Sequence, residues 1–119
     1  MKTTLFALVM SAAALPTLAA QMECMVDTAA YDEWQVGYCP NFESTLDNNP
    51  NTAIWRITGT TKAISSILWS EKTAGCASNS LYCSKEIRPY QEHLGKATIL
   101  YTDGTWEAVQ ATASFETGY

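Results

Sequence analysis

Few side chains in this sequence have the type and spacing that chemistry needs. The single histidine, His93, stands in Gln91-Glu92-His93-Leu94, with Glu86 close by in the chain. A general base needs a partner to orient it and a nucleophile or substrate proton within about 3 Å. No Gly-x-Ser-x-Gly and no His-Glu-x-x-His is present to supply either. His93 is therefore read as a solvated loop histidine, and no residue is assigned to catalysis. Glu107 with Glu116, or Asp27 with Asp32, could be paired as the two carboxylates of glycoside hydrolysis, which stand about 5–10 Å apart across a cleft. A chain this short leaves little room for such a cleft, so charge that keeps the surface soluble is the simpler reading.

The cysteines carry more information. Cys24, Cys39, Cys76 and Cys83 include no Cys-x2-Cys spacing and have one histidine to assist them, so neither a metal site nor any cofactor is expected. An even count in a small exported chain reads instead as two disulfides. Of the pairings open to four cysteines, Cys24 with Cys39 and Cys76 with Cys83 are favoured by closeness in sequence. A loop of about 15 residues closed by the first is worth roughly 3 kcal/mol in the chain-entropy picture.

The segment Cys76-Ala77-Ser78-Asn79-Ser80-Leu81-Tyr82-Cys83 then becomes a short cystine ring that carries Leu81 and Tyr82 among small polar residues. Such a ring can staple a long connection. It can equally present a pre-organised contact, with no ordering needed on binding and tyrosine as a common interface anchor. Tryptophans stand at 34, 55, 69 and 106. Trp55 and Trp69 are expected in the core. Trp106, beside Asp103-Gly104 and on the more polar face of its segment, is expected to be exposed and could stack on a sugar. The candidate binding residues are thus Leu81, Tyr82 and Trp106.

Charge and compartment narrow the partners. Lys2, the apolar run 5–15, Pro16 and the small residues ending at Ala19-Ala20 form the three-part pattern of a secretory signal, with cleavage after Ala19 preferred to cleavage after Ala20. The run is too short to span a membrane, and no membrane insertion is expected. Removing residues 1–20 takes away one of the 7 basic residues and none of the 12 acidic ones, a net charge of 6 − 12 = −6. That balance disfavours nucleic acid and anionic lipid, both of which call for Lys and Arg. The expectation is a single domain over 21–119, secreted or periplasmic, meeting an extracellular or periplasmic protein or glycan.

Something must position these residues, and the patterning points to strands. Trp34, Val36 and Tyr38 alternate with Gln35, Gly37 and Cys39, as in a strand with one buried face that Pro40 then ends. A loop is expected over 41–51. Strands are expected at 52–60 and 63–70, joined as a hairpin, and a short one near 86–90 after the cystine ring. Segments 96–102 and 105–115 flank Asp103-Gly104, a hairpin signal because a type I′ turn asks for positive φ at both central residues. In the last segment Val109, Ala111, Ala113 and Phe115 are read as the inner face. No helical periodicity appears after the signal, which implies an all-β fold: a small antiparallel sandwich stapled by two disulfides.

Two of these segments resemble bacterial immunoglobulin-like domains. Ile64-Ser65-Ser66-Ile67-Leu68-Trp69 is similar to the strand that carries their buried tryptophan, and Gly95 to Thr105 is similar to their late hairpin. The resemblance implies an immunoglobulin-like β-sandwich. The inter-sheet cystine of antibody domains is expected to be missing, since Cys76 and Cys83 both follow Trp69 instead of bracketing it. The fold implies no particular ligand. The resulting expectation is a non-enzymatic binding module, with a small secreted hydrolase or toxin, or an inhibitor presenting the 76–83 loop, as the competing readings.

Overall fold

In the computed structural model, residues 19–29, 32–44, 49–70 and 76–118 are described. Residues 1–18, most of the expected signal peptide, lie outside them. Eight strands make up the fold: β1 (Gln21–Asp27), β2 (Gln35–Val36), β3 (Tyr38–Glu43), β4 (Asn51–Thr58), β5 (Ile64–Trp69), β6 (Tyr82–Ile87), β7 (Gln91–Tyr101) and β8 (Trp106–Thr117). They form two four-stranded sheets, one in the order β2-β1-β4-β6 and the other in the order β3-β8-β7-β5. The all-β, two-sheet sandwich expected from the alternation is therefore present. Every pairing is antiparallel except β3 with β8, which is parallel.

Period-2 patterning decides which side chains face between the sheets. Met22, Cys24 and Val26 of β1 and Ala53, Trp55 and Ile57 of β4 are buried, while the residues between them are not. Opposite them lie Ile67 of β5, Ala97, Ile99 and Tyr101 of β7, and Val109, Ala111, Ala113 and Phe115 of β8, so the inner face read for the last strand is the one buried. Each large apolar side chain fully removed from water here stabilises the fold by about 1.5–3 kcal/mol.

Several expectations are corrected. The segments at 52–60 and 63–70 do not pair with each other: β4 lies between β1 and β6 in one sheet, and β5 pairs with β7 in the other. Gly59, at φ +79, turns the chain out of the first sheet, and a polar turn of this kind serves a sheet crossing as well as a hairpin. Pro40 does not end its strand, because β3 is an edge strand of its sheet and an edge tolerates a residue with no N–H to donate. Val36 and Tyr38 are exposed, so the alternation starting at Trp34 has its buried face at Cys39. β1 was not anticipated, and β6 begins at Tyr82 in place of a short strand near 86–90.

The late hairpin forms between β7 and β8 but not with a type I′ turn. Gly104 N–H donates to the Tyr101 carbonyl at 3.1 Å, and Tyr101 N–H to the Thr105 carbonyl at 2.9 Å. Thr102 and Asp103 are thus the central turn residues, and Gly104, at φ +88, is the left-handed residue after them. This is the three-residue hairpin loop with a glycine bulge. His93, finally, is not in a loop: it lies half-buried in β7, in register with Ala113 of β8.

Both disulfides join the expected partners, Cys24 with Cys39 and Cys76 with Cys83. The first is more than a local loop. Cys24 belongs to β1 and Cys39 to β3, which lie in different sheets, so an inter-sheet cystine exists where none was expected. The buried tryptophan beside it is Trp55 and not Trp69. Trp55 stands in register with Cys24 on one side and Cys83 on the other, is fully buried, and donates its indole N–H to the Ala111 carbonyl of the opposite sheet at 2.9 Å. Trp69 is half-buried at the edge of the core.

Candidate functional site

The cystine ring bridges the two sheets along their open side. Ser80 N–H donates to the Ala77 carbonyl at 3.2 Å, and Asn79 adopts φ +66, a left-handed conformation that asparagine accepts more readily than most residues. From there Asn79 closes the exposed edge of β5. Its N–H donates to the Ile67 carbonyl at 3.1 Å, while its side-chain oxygen accepts from Ile67 N–H at 3.0 Å. The Trp69 indole N–H donates to the Ser80 carbonyl at 2.9 Å. On the other side the ring runs into β6, with Ile57 N–H bonded to the Leu81 carbonyl at 3.0 Å. A covalent bond and a set of backbone hydrogen bonds thus leave this segment little freedom to reorganise.

Tyr82 emerges from that frame with 56% of its surface exposed, and Leu81 with 39%. Tyr82 is the first residue of β6 rather than part of a projecting loop, and its neighbour in β4 is Arg56. Arg56 is held from the far side. Its Nε lies 2.6 Å from a Glu23 carboxylate oxygen, and its guanidinium carbon lies 4.0 Å from the centre of the Trp34 ring. The outer face of this sheet therefore presents the row Glu23, Arg56, Tyr82, with Trp34 stacked above it. Next to Tyr82 a cleft of about 330 Å³ is lined by Thr52, Ile54, Ala77, Ser84 and the Cys76–Cys83 cystine. That volume is at the small end for ligand pockets, and the lining combines hydroxyl groups with the aliphatic side chains of Ile54 and Ala77.

Trp106 does not join this surface. It is 63% exposed on the outer face of the other sheet, in register with Leu100 of β7, with Leu68 exposed on β5 two strands away. The candidate binding residues accordingly divide: Tyr82 lines the cleft, Leu81 precedes it in the chain without lining the cleft, and Trp106 marks a separate face. A second, smaller depression of about 160 Å³ lies along β3 between Tyr38, Pro40 and Phe42 and the β8 residues Ser114 and Glu116. The period-2 spacing of Tyr38, Pro40 and Phe42 would have revealed it had Pro40 been allowed inside an edge strand. The stacking of Trp34 on Arg56 had no local signal, because the two residues meet only through the pairing of β2 with β1 and of β1 with β4.

Among the described titratable groups, His93, Tyr101 and Asp103 depart from their ordinary pKa values. His93 has its pKa lowered, first by burial and then by the nearby Lys85 charge. It lines neither of the two depressions just described. Asp103 is held down to about 2, chiefly by the Thr105 hydroxyl and then by Thr105 N–H, with Lys62 adding to them. Tyr101 is pushed up to about 12 by burial and by its hydrogen bond to Glu107. Among the described residues, no three His, Cys, Asp or Glu side chains converge as a metal site would require. No helix among the described residues is long and apolar enough to cross a membrane. No protein-family model, curated protein or solved structure matches this chain, so the reading of function rests on its own geometry.

Proposed function

We propose that this chain is an exported, non-enzymatic binding module of immunoglobulin-like architecture, which recognises a protein or glycan outside the cytoplasm through the surface around Tyr82. The observation that carries this reading is an exposed tyrosine on a rigid frame at the rim of a cleft. A backbone already held in place needs no ordering on binding, and tyrosine is among the residues that concentrate binding energy. Arg56, fixed beside it by Glu23 and Trp34, adds a second residue type common at such centres. The architecture is supported by an inter-sheet cystine beside a buried tryptophan, Cys24–Cys39 next to Trp55. Two disulfides in so small a domain fit an oxidising compartment. Because the ring from Cys76 to Cys83 is fastened along β5 instead of standing clear of it, a contact at the cleft side is favoured over a loop that plugs an enzyme.

Trp106 supports a second reading, sugar stacking on the opposite face, because it is the most exposed of the large apolar side chains described. One experiment separates the two. The wild-type protein, Tyr82→Ala and Trp106→Ala are screened side by side on immobilised glycans and on a displayed peptide library. Under the first reading, ligands of the wild type also bind Trp106→Ala and lose about thirty-fold in affinity with Tyr82→Ala, the effect of about 2 kcal/mol at a central tyrosine. The reverse pattern assigns the contact to Trp106, and a Tyr82→Ala protein that binds like the wild type overturns the proposal.

A further inference from the structure

Just before β1 the chain reaches across to the other sheet through a polar contact. Ala20 N–H donates to one carboxylate oxygen of Glu107 in β8 at 3.1 Å, although the two residues are 87 positions apart in sequence. The other carboxylate oxygen accepts the hydroxyl proton of Tyr101 from β7. Tyr101 is buried and Ala20 and Glu107 are half-buried, so the three close one end of the space between the sheets. Before Ala20, the Ala19 carbonyl runs close to Gly59: a Cβ on Gly59 would stand 3.1 Å from that oxygen.

The signal-like pattern of the leader left two cleavage points open, after Ala19 or after Ala20. The geometry points to Ala19–Ala20, and we infer that the amine released there is a structural group of the mature protein, an α-ammonium paired with Glu107. The inference rests on the export reading of residues 1–20 and not on the choice between Tyr82 and Trp106. In the cleavage, water adds across the peptide bond. The C–N bond breaks, hydroxyl goes to the Ala19 carbonyl carbon and hydrogen to the Ala20 nitrogen, which takes up a further proton below its pKa of about 7.7–8.0. A neutral amide donor thereby becomes a cation at the same carboxylate. The amide bond to the Glu107 carboxylate is already charge-assisted; the ammonium adds a full positive charge, whose Coulomb attraction to the carboxylate exceeds that of an amide dipole at the same distance. Removal of the leader would thus tighten the tie between β1 and β8, whereas cleavage one residue later would remove the donor itself.

Among the described residues, the groups linked to this point are Tyr101, Lys62 and Asp103. Tyr101 donates to Glu107, Lys62 lies 5.5 Å from the Tyr101 ring centre, and Asp103 is paired with Lys62 at 3.3 Å. The sign of the pH dependence follows from the pair. A carboxylate beside an amine favours the charged amine and raises its pKa. The stabilisation is then complete below about pH 8, the ordinary range of an unfolded α-amine, and is lost as pH rises through the folded value.

The test uses the protein exported from its full precursor. Mass spectrometry identifies the first residue, and NMR of isotope-labelled alanine follows the titration of its amine in the wild type and in Glu107→Gln. The expected result is a chain that begins at Ala20, with an amine that titrates above 8 in the wild type and returns to about 7.7–8.0 in the variant. Selective acetylation of the α-amine restores the precursor's amide. It is expected to lower the melting temperature at pH 7 and to abolish its fall between pH 8 and 10, a readout that holds even where Glu107→Gln does not fold. A chain that begins at Gln21, or an amine that titrates in the ordinary range whichever residue stands at 107, overturns the inference.

Discussion

Gly95 of β7 and Trp55 of β4 touch across the two sheets so closely that a Cβ on Gly95 would lie 2.5 Å from both Cδ1 and Nε1 of the indole. The ring cannot easily withdraw, because its N–H is bonded to the Ala111 carbonyl and Cys24 and Cys83 flank it in its own sheet. Gly95 is therefore present for lack of a side chain and not for an unusual φ. Gly95→Ala is expected to destabilise the domain by about 1–3 kcal/mol, the usual range for overpacking a core, and to change the fluorescence of Trp55. Urea denaturation measures the first and emission spectra the second. A variant with wild-type stability would show that the sheets can part without loss at this point.

The two cystines should differ in weight. Cys24–Cys39 closes 15 residues and joins the sheets, whereas Cys76–Cys83 closes 7 and borders the cleft. Loop entropy alone gives roughly 3 kcal/mol for the first and roughly 2 kcal/mol for the second. Replacing Cys24 and Cys39 together by alanine is expected to cost more stability than the same change at Cys76 and Cys83, which should fall more heavily on binding at Tyr82. Denaturation midpoints of the two double variants decide the order. The opposite order would mean that the ring, and not the inter-sheet bond, is the main staple.

Acid should act on the late hairpin through Asp103. Its carboxylate accepts from Thr105 N–H at 2.9 Å and from the Thr105 hydroxyl, with Lys62 at 3.3 Å. These bonds hold its pKa near 2, below the ordinary 3.8. A depressed carboxylate contributes stability that is present above its unfolded pKa and lost as pH falls through the folded one. The difference in melting temperature between the wild type and Asp103→Asn is expected to be constant above pH 5 and to shrink from pH 4 to pH 2. A difference that stays constant down to pH 2 would show that the turn gains nothing from the ionised carboxylate.

What the chain itself determined lies close along it. Alternation in 105–115 identified the buried face of β8, since a strand with one apolar face has one way to lie against a core. Asp103-Gly104 located the hairpin, although the type I′ turn read from it gave way to a three-residue loop with Gly104 as the left-handed residue. The cysteine pairs were legible from their short separations. What the tertiary structure decided lies between residues far apart. Nothing local distinguishes a turn that returns a strand to its neighbour from one that carries it to the facing sheet, so the separation of β4 from β5 emerged only when β1 and β6 claimed both edges of β4. The choice of Trp55 over Trp69 as the central tryptophan has the same origin, because burial belongs to a place in the sandwich and not to a residue type. Trp34 on Arg56, and Ala20 on Glu107, arise from strands brought together by the core, and no spacing in the sequence could show them.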